Sequence, residues 1–243
     1  MITRNPSLTE QVKAHLKERI VGGDFEAGRI PSETELATDL GVSRTTIRDA
    51  LSRLEHEGSI YRKQGAGTFV NEPGLQIKSR LEEIWSYEEV LRDHGYTPSV
   101  RVGEIQTEPA GDQLAAELKL EPGEPLVVFE KLFLENDLPV VLTTNRIPKR
   151  LVSVHIKAAD GKKPLYELLE DHCGRFLSYY LSDIVPVALG NHESGQLAVA
   201  RRTPSISFEE VGFDQDNEPV VKATSLFRDD LLRFRLIRRK AGA

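Results

Sequence analysis

Arg44, Thr45 and Arg48 stand within five residues of one another in the string VSRTTIRDAL. If that string is helical, Ile47, Ala50, Leu51 and Leu54 make one apolar stripe. At 100° per residue the three polar side chains then fall on one outward flank beside it. A guanidinium can donate two hydrogen bonds to a guanine edge, and a threonine methyl can touch thymine. The flank therefore has the chemistry of a reader of duplex DNA. Arg62 and Lys63 follow, just ahead of Gln64-Gly65-Ala66-Gly67, whose glycines let the backbone approach a sugar–phosphate chain.

The elements that must hold these residues are marked by their own caps. Ser7 and Glu10, then Ser32 and Glu35, have the spacing of a capping box. Ser43 stands where it can cap a third helix. Leu8, Val12, Leu16 and Ile20 give the first helix a buried stripe, and Leu36, Ala37 and Leu40 do so for the second. Gly41 suits a left-handed helix end, and the turn Leu40-Gly41-Val42-Ser43 is short enough for two helices to cross steeply. Gly58 ends the third helix. Ile60–Lys63 and Thr68–Val70 alternate as two strands around the glycine-rich tip. The pattern predicts a winged helix-turn-helix. The GxG of the tip is no dinucleotide fingerprint, because it lies in a hairpin rather than between strand and helix.

Bulk composition narrows how such a site can work. The net charge is −6 and the pI about 5.6, and residues 1–72 hold ten Lys/Arg against eleven Asp/Glu. DNA affinity must come from a local patch formed by Arg44, Arg48, Arg62 and Lys63, with most acids on other faces. The single cysteine, Cys173, excludes an internal disulfide and fits a reducing compartment. No apolar run approaches membrane-spanning length and no signal-peptide core opens the chain. A soluble cytoplasmic protein with no membrane partner is expected.

The predicted domains are residues 1–72, a linker at 73–78 announced by the wing-breaking Asn71-Glu72-Pro73-Gly74, and residues 79–243. In the second domain Ser86-Tyr87-Glu88-Glu89 is a further capping box, opening a helix that closes at Gly95. Strands are expected at Ser99–Thr107, Leu126–Leu134, Val140–Ile147, Phe176–Pro186, Ile206–Asp214, Val220–Phe227 and Leu231–Ile237. Helices are expected at Asp112–Leu118, Leu165–His172 and His192–Ala198. Asn136-Asp137 and Asp216-Asn217 read as hairpin turns. Consecutive strands joined by tight turns argue for an antiparallel α+β fold.

No catalytic residue, cofactor or metal site emerges from the residues. Ser-His-Asp, HExxH and paired CxxC patterns are missing from the sequence. His172-Cys173 reads as packing at a helix end. Glu209-Glu210 and Asp229-Asp230 point to opposite faces if they lie on strands. His94 and His192 are isolated. The closing run Arg233, Arg235, Arg238, Arg239, Lys240 alternates with Phe234, Leu236 and Ile237, as a strand with one polar face would.

The first domain closely resembles the GntR-type bacterial regulators. The resemblance rests on Pro31-Ser32-Glu33, Gly41-Val42-Ser43-Arg44, Thr46, Arg48, Ala50-Leu51, Leu54 and Gly65-Ala66-Gly67-Thr68-Phe69-Val70. It implies DNA contacts from Ser43, Arg44, Thr45, Thr46 and Arg48, with Gln64 and Gly65 at the minor groove. Thr34 stands where many relatives carry an arginine. The second domain resembles the UTRA effector-binding domain of the HutC subfamily, of chorismate-lyase-like fold, through SYEEVLRDHGYTPS, EKLFLENDLPVVLTTNRIP, PLYELLE and NEPVVKATSLFRDD.

Carried over residue by residue, that resemblance implies an effector pocket from Ser86, Tyr87, Lys131, Phe133, Thr143, Tyr166, Val221, Ser225 and Arg228, with Asp230 also matching the last strand. The amides at Ser86-Tyr87 are expected to be free for an anion. Lys131 and Phe133 replace two arginines of relatives that sense phosphorylated amino sugars, and Thr143 and Val221 replace two glutamates. These losses predict an effector other than an amino-sugar phosphate, less polar, with one carboxylate or phosphate near Lys131. The whole reads as a repressor, a homodimer on a palindromic double-stranded operator, with affinity set by a small-molecule effector. The alternative is a ligand-binding or lyase-like enzyme domain carrying a vestigial DNA-binding module.

Overall fold

Ser7, Ser32, Ser43 and Ser86 each accept a hydrogen bond from the amide three residues on, and each opens a helix. The computed structural model describes residues 6–75, 81, 83–228, 231, 232, 234 and 237. The chain divides into two compact units, the second running Leu81–Phe234.

In the first unit the order is α1 (Leu8–Gly22), β1 (Arg29–Ile30), α2 (Glu33–Leu40), α3 (Arg44–His56), β2 (Ile60–Lys63), β3 (Gly67–Val70) and α4 (Glu72–Leu75). Val12, Leu16 and Ile20 of α1 meet Leu36 of α2 and Ile47, Ala50, Leu51 and Leu54 of α3 in one core. Gly41 takes the left-handed conformation (φ 64°) at the end of α2, as the turn between crossing helices demands. β3 lies between β1 and β2 in an antiparallel three-stranded sheet, with Lys63 opposite Gly67 at the tip. This is the winged helix-turn-helix expected from the sequence.

Two local expectations are revised. The α1 capping box is half formed: Ser7 accepts from Glu10 (3.3 Å), but the Glu10 carboxylate is taken by Lys13 and Arg53. The stretch from Asn71 to Gly74 is no free linker. Asn71 donates through Nδ2 to the Gly58 carbonyl (2.8 Å), and Leu75 packs on the first core, so α4 belongs to the first unit.

The second unit is a seven-stranded antiparallel sheet with helices on both faces. Its elements are α5 (Tyr87–Asp93), β4 (Pro98–Val102), β5 (Gln106–Pro109), α6 (Asp112–Glu117), β6 (Pro125–Glu135), β7 (Leu138–Pro148), α7 (Leu165–Cys173), β8 (Leu177–Ala188), α8 (Asn191–Gln196), β9 (Pro204–Asp214) and β10 (Pro219–Phe227). The strand order is β4-β6-β7-β10-β9-β8, with β5 also on β6. Asn136 and Asp137 both have positive φ (45° and 66°), the backbone of a two-residue hairpin turn whose twist suits the flanking strands.

The strand expected over Ser99–Thr107 is two strands, both on β6. Val102 faces Lys131 and Gln106 faces Val128, so this side carries one extra residue and bulges. The strand expected at Leu231–Ile237 is not seen: Leu231, Leu232 and Phe234 are irregular, and Phe234 packs on Trp85, Phe208 and Phe227. The closing basic residues and Asp229-Asp230 lie outside the described residues.

Alternation along the strands assigns the two faces. Leu126, Val128, Leu132, Leu134, Leu142 and Leu226 face one way, beneath α6 and the α8 region. Phe129, Lys131, Phe133, Thr143, Asn145, Ala223, Ser225, Phe208 and Glu210 face the other. There α5 covers a patch around Phe133, Val141 and Phe227, and α7 covers a patch around Phe129, Ile147 and Val221. The polar residues fall between these two patches.

Asp214 closes the β9–β10 hairpin. Its carboxylate is 2% exposed, accepts from the Asp216 and Glu218 amides (3.0 and 2.9 Å) and pairs with Arg175 (2.9 Å). Burial pushes its pKa up, but those donors together hold it below the ordinary value. A depressed carboxylate stabilises the fold at pH values above its unfolded pKa, and that contribution disappears as pH falls through the folded one. Asp214→Asn is expected to cost about 2–3 kcal/mol at pH 7. Denaturant melts should show the gap between variant and parent closing as the solution is acidified through the carboxylate range.

Candidate nucleic-acid interface and ligand cavity

In the first unit α3 starts at Arg44 because Ser43 caps it: Ser43 Oγ accepts from the Thr46 amide (3.1 Å) and bonds Thr46 Oγ1 (2.8 Å). With Ile47, Ala50, Leu51 and Leu54 held in the core, Arg44, Thr45 and Arg48 are exposed together. The β2–β3 hairpin exposes Arg62, Lys63, Gln64 and Gly65. Gly65 has φ 74°, which the tight tip requires.

Two of the four expected basic residues are not free. Arg62 Nε lies 3.3 Å from Glu55, so acid does reach the patch. Arg48 is held by Glu33 on α2: Nε and Nη2 both donate to Glu33 Oε2 (3.2 and 3.1 Å), and the pairing raises the Arg48 pKa. The pairing uses the side edge of the guanidinium. Its end edge, formed by Nη1 and the second Nη2 hydrogen, stays available for the two acceptors of a guanine. Glu33 is a site residue that sequence reasoning missed. Its signal is its place in Pro31-Ser32-Glu33, one residue past the Ser32 cap in the first turn of α2.

The second unit holds a cavity of about 630 Å³ over the polar gap in the sheet. Its floor is Lys131, Phe133, Thr143, Asn145, Phe208, Glu210, Ala223 and Ser225; its walls are residues 83–88, the start of α7 at Pro164–Tyr166, and β8 from Ser178 to Ile184. The structure thus brings Ser86, Tyr87, Lys131, Phe133, Thr143, Tyr166 and Ser225 together. Two expected residues are elsewhere. Val221 is fully buried in the α7 patch, where it and Tyr180 close over Gly212; a Cβ at Gly212 would stand 2.7 Å from Val221 and 2.9 Å from Tyr180. Arg228 reaches the Leu197 carbonyl (3.5 Å), off the cavity wall.

The chemistry of the cavity differs from expectation in three ways. First, the helix start at Ser86 is already satisfied. The Ser86 amide donates to Glu89 and the Glu89 amide to Ser86 Oγ, both at 3.1 Å, while Glu88 and Glu89 put acid in the first turn. Of the amides expected to be free for an anion, that of Ser86 is therefore engaged. Second, Lys131 is 3% exposed and donates to the Lys163 carbonyl (2.7 Å). Burial lowers its pKa, and Glu88 opposes that effect. Third, carboxylates are not lost. Glu88 and Glu210 replace, from other positions, the acids missing at Thr143 and Val221.

Glu210 accepts from Ser182 Oγ (2.6 Å), and burial raises its pKa. The phenols of Tyr87 and Tyr180 are pushed far up by desolvation and by Glu210 beside them. Asn145, Tyr180, Glu88 and Glu210 were all missed in the sequence. Asn145 could have been found, since it lies two residues from Thr143 on the same face and bonds its Oγ1 (3.2 Å).

Among the described residues no group of three or more His, Cys, Asp and Glu could hold a metal. Nor is any helix of the described residues long and apolar enough to cross a membrane. His192 bonds Glu130 (2.9 Å), and the Cys173 thiol is raised by burial to about 11.

Residues 8–70 match the bacterial regulatory proteins of the gntR family, and residues 93–233 match the UTRA domain. The chain belongs to the GntR family, with a UTRA domain as its second half, and is a DNA-binding transcriptional regulator. It is 28% identical to the HTH-type transcriptional repressor NagR of Bacillus subtilis, over 92% of this chain and 91% of that protein. It is 32% identical to the histidine utilization repressor of Pseudomonas putida, over 76% and 69%. In fold it is similar to crystal structures of the possible transcriptional regulator YydK from Bacillus subtilis (TM-score 0.75, 16% identity, 96% of this chain and 100% of that one) and of PhnF from Mycobacterium smegmatis (0.60, 24%, 94% and 99%).

Glu33→Gln should leave α2 capped by Ser32 and Glu35 while releasing Arg48. Anisotropy titrations against a duplex selected from random sequence should show specific affinity down about tenfold, with affinity for a scrambled duplex unchanged or higher. An equal loss on both duplexes would mean that Glu33 does not orient the arginine.

Proposed function

We propose that this chain is a cytoplasmic one-component repressor that reads a palindromic operator as a homodimer and responds to a small molecule held in the cavity of the second unit. The observation that carries the first half is the exposed flank of α3, with Arg44 and Thr45 beside an Arg48 whose reading edge is left open by Glu33. The exposed Lys63, Gln64 and Gly65 of the wing support a second grip on the backbone. One reading helix spans only a few base pairs, so discrimination calls for two half-sites about a helical turn apart and hence for two copies of the chain. The repressor names of the relatives above support the sign of the regulation.

The cavity supports the second half. Its volume is that of small-molecule sites, and polar groups stand both on its floor between α5 and α7 and in its walls at Ser86, Glu88 and Ser182. Its groups favour binding over catalysis: Lys131 is bonded to the Lys163 carbonyl, and Glu210 accepts from Ser182. A ligand acts on operator affinity only through unequal affinity for two arrangements of the protein, typically by about 1–3 kcal/mol.

The test is binding of the full chain to DNA from upstream of its own gene. Arg44→Ala should weaken specific binding by about 1–3 kcal/mol, roughly 5- to 150-fold. Unchanged affinity would remove Arg44 from the interface. For the parent chain, log K should fall linearly with log salt by about 0.9 for each phosphate neutralised, and a flat response would contradict a phosphate-gripping surface.

A further inference from the structure

The cavity has more acid than base. Lys131 is its one buried ammonium among the described residues, and that charge already has partners in the Lys163 carbonyl and in Glu88, whose field acts on it. Glu88 Oε2 is buried and makes no hydrogen bond. At the β8–β9 end stands Glu210, with one short bond from Ser182 and no ammonium or guanidinium among the cavity-lining residues beside it. Both residues are half-buried, and carboxylate oxygens drawn partly out of water with few donors carry a free-energy cost that the donors of a ligand can offset.

The rest of the wall has the same preference. Trp85, Tyr87, Tyr166, Tyr180, Phe133 and Phe208 line the space around the two carboxylates. Aromatic faces carry negative potential and attract desolvated cations, most strongly when a carboxylate stands close by. Burial raises the phenols of Tyr87 and Tyr180, and both are near enough to Glu210 for its charge to add to that rise. An incoming anion would meet Glu88 and Glu210 and would find Lys131 engaged. An incoming cation would find Glu210, which has no cation among the cavity-lining residues beside it, the unbonded Glu88 Oε2, and aromatic walls.

We propose that the cavity takes an organic cation, an alkyl or hydroxyalkyl amine or quaternary ammonium, with its positive group against Glu210 and the rings of Tyr87 and Tyr180, and a second donor of the same ligand against Glu88. The proposal rests on the reading of this cavity as the effector site. It replaces the carboxylate or phosphate near Lys131 that the sequence suggested.

Trp85 is the only tryptophan in the chain and lines the cavity, so its emission reports occupancy directly. The full chain is titrated with putrescine and choline, and separately with inorganic phosphate, acetate and glucosamine 6-phosphate. Saturable change is expected with at least one of the two cations and with none of the anions at the same concentration. Glu210→Gln keeps the Ser182 bond and the side-chain volume, so it should weaken the cation about 10- to 100-fold without unfolding the unit. Glu88→Gln, at the opposite wall, provides an independent reading should the first variant fold poorly. Saturation by an anion, no response to either cation, or cation binding unmoved by both variants would each overturn the proposal. The effector reading fails differently: a cation that saturates Trp85 yet leaves affinity for the upstream DNA unchanged would sink that reading and leave the cation site standing.

Discussion

The second unit is governed by the cost of putting charge on a sheet face that must also hold the unit together. β6, β7 and β10 are buried on both faces, and their apolar residues knit α6 and α8 to one side and α5 and α7 to the other. Lys131, Asn145 and Glu210 interrupt that surface. An ammonium or carboxylate there is tolerable only with partners and some residual water. The two helices accordingly cover the apolar ends of the face and leave the polar middle open. The cavity lies where polar side chains, Lys131, Thr143, Asn145, Glu210 and Ser225 among them, stand on that sheet face.

The same economy of pairing acts on the DNA-reading unit, with the opposite result. Arg48 is exposed, and a free arginine on a surface samples many rotamers. Glu33 reaches it across the α2–α3 crossing and fixes one edge of a planar group that has two. Because the guanidinium is rigid, fixing one edge orients the other. The tight turn at Gly41 sets the two helices close enough for this to happen. A lysine at position 48 would satisfy the same charge balance, but its single ammonium could not be held and still present a forked donor.

What could be read in the sequence was what repeats or what sits at fixed offsets. The stripes of α1 and α3, the serine caps, the Gly41 turn and the Asn136-Asp137 hairpin are local signals, and each is found where its residues predicted it except that Leu8, expected in the α1 stripe, lies exposed at the helix start. Harder to read was anything set by register. Glu210 seemed one of a solvated doublet, yet pairing of β9 with β10 puts it opposite Ala223 and on the cavity face, while Glu209 faces the other way. Val221 seemed a pocket residue by position, but a step of two along β10 carries it beneath α7. The bulge between Val102 and Gln106 was invisible because both halves of the segment alternate well. A glutamate that orients an arginine fifteen residues away leaves no periodic trace at all.

Register also explains how the cavity can change its chemistry while the fold stays put. The acids at Glu88 and Glu210 come from α5 and β9, not from Thr143 on the floor or from Val221 beneath α7, the positions at which the resemblance to sensors of phosphorylated amino sugars expected them. Moving a carboxylate from the central strands to the rim changes which part of a ligand it meets, since neighbouring strands lie about 4.8 Å apart. The floor then needs only short polar side chains that satisfy one another, as Asn145 does with Thr143 and Ser225 with Tyr87. The hydrogen bonds that keep the sheet intact are thereby separated from the groups that select the ligand. The side chains at Glu88 and Glu210 lie outside the β7–β10 pair and can differ without disturbing that pairing.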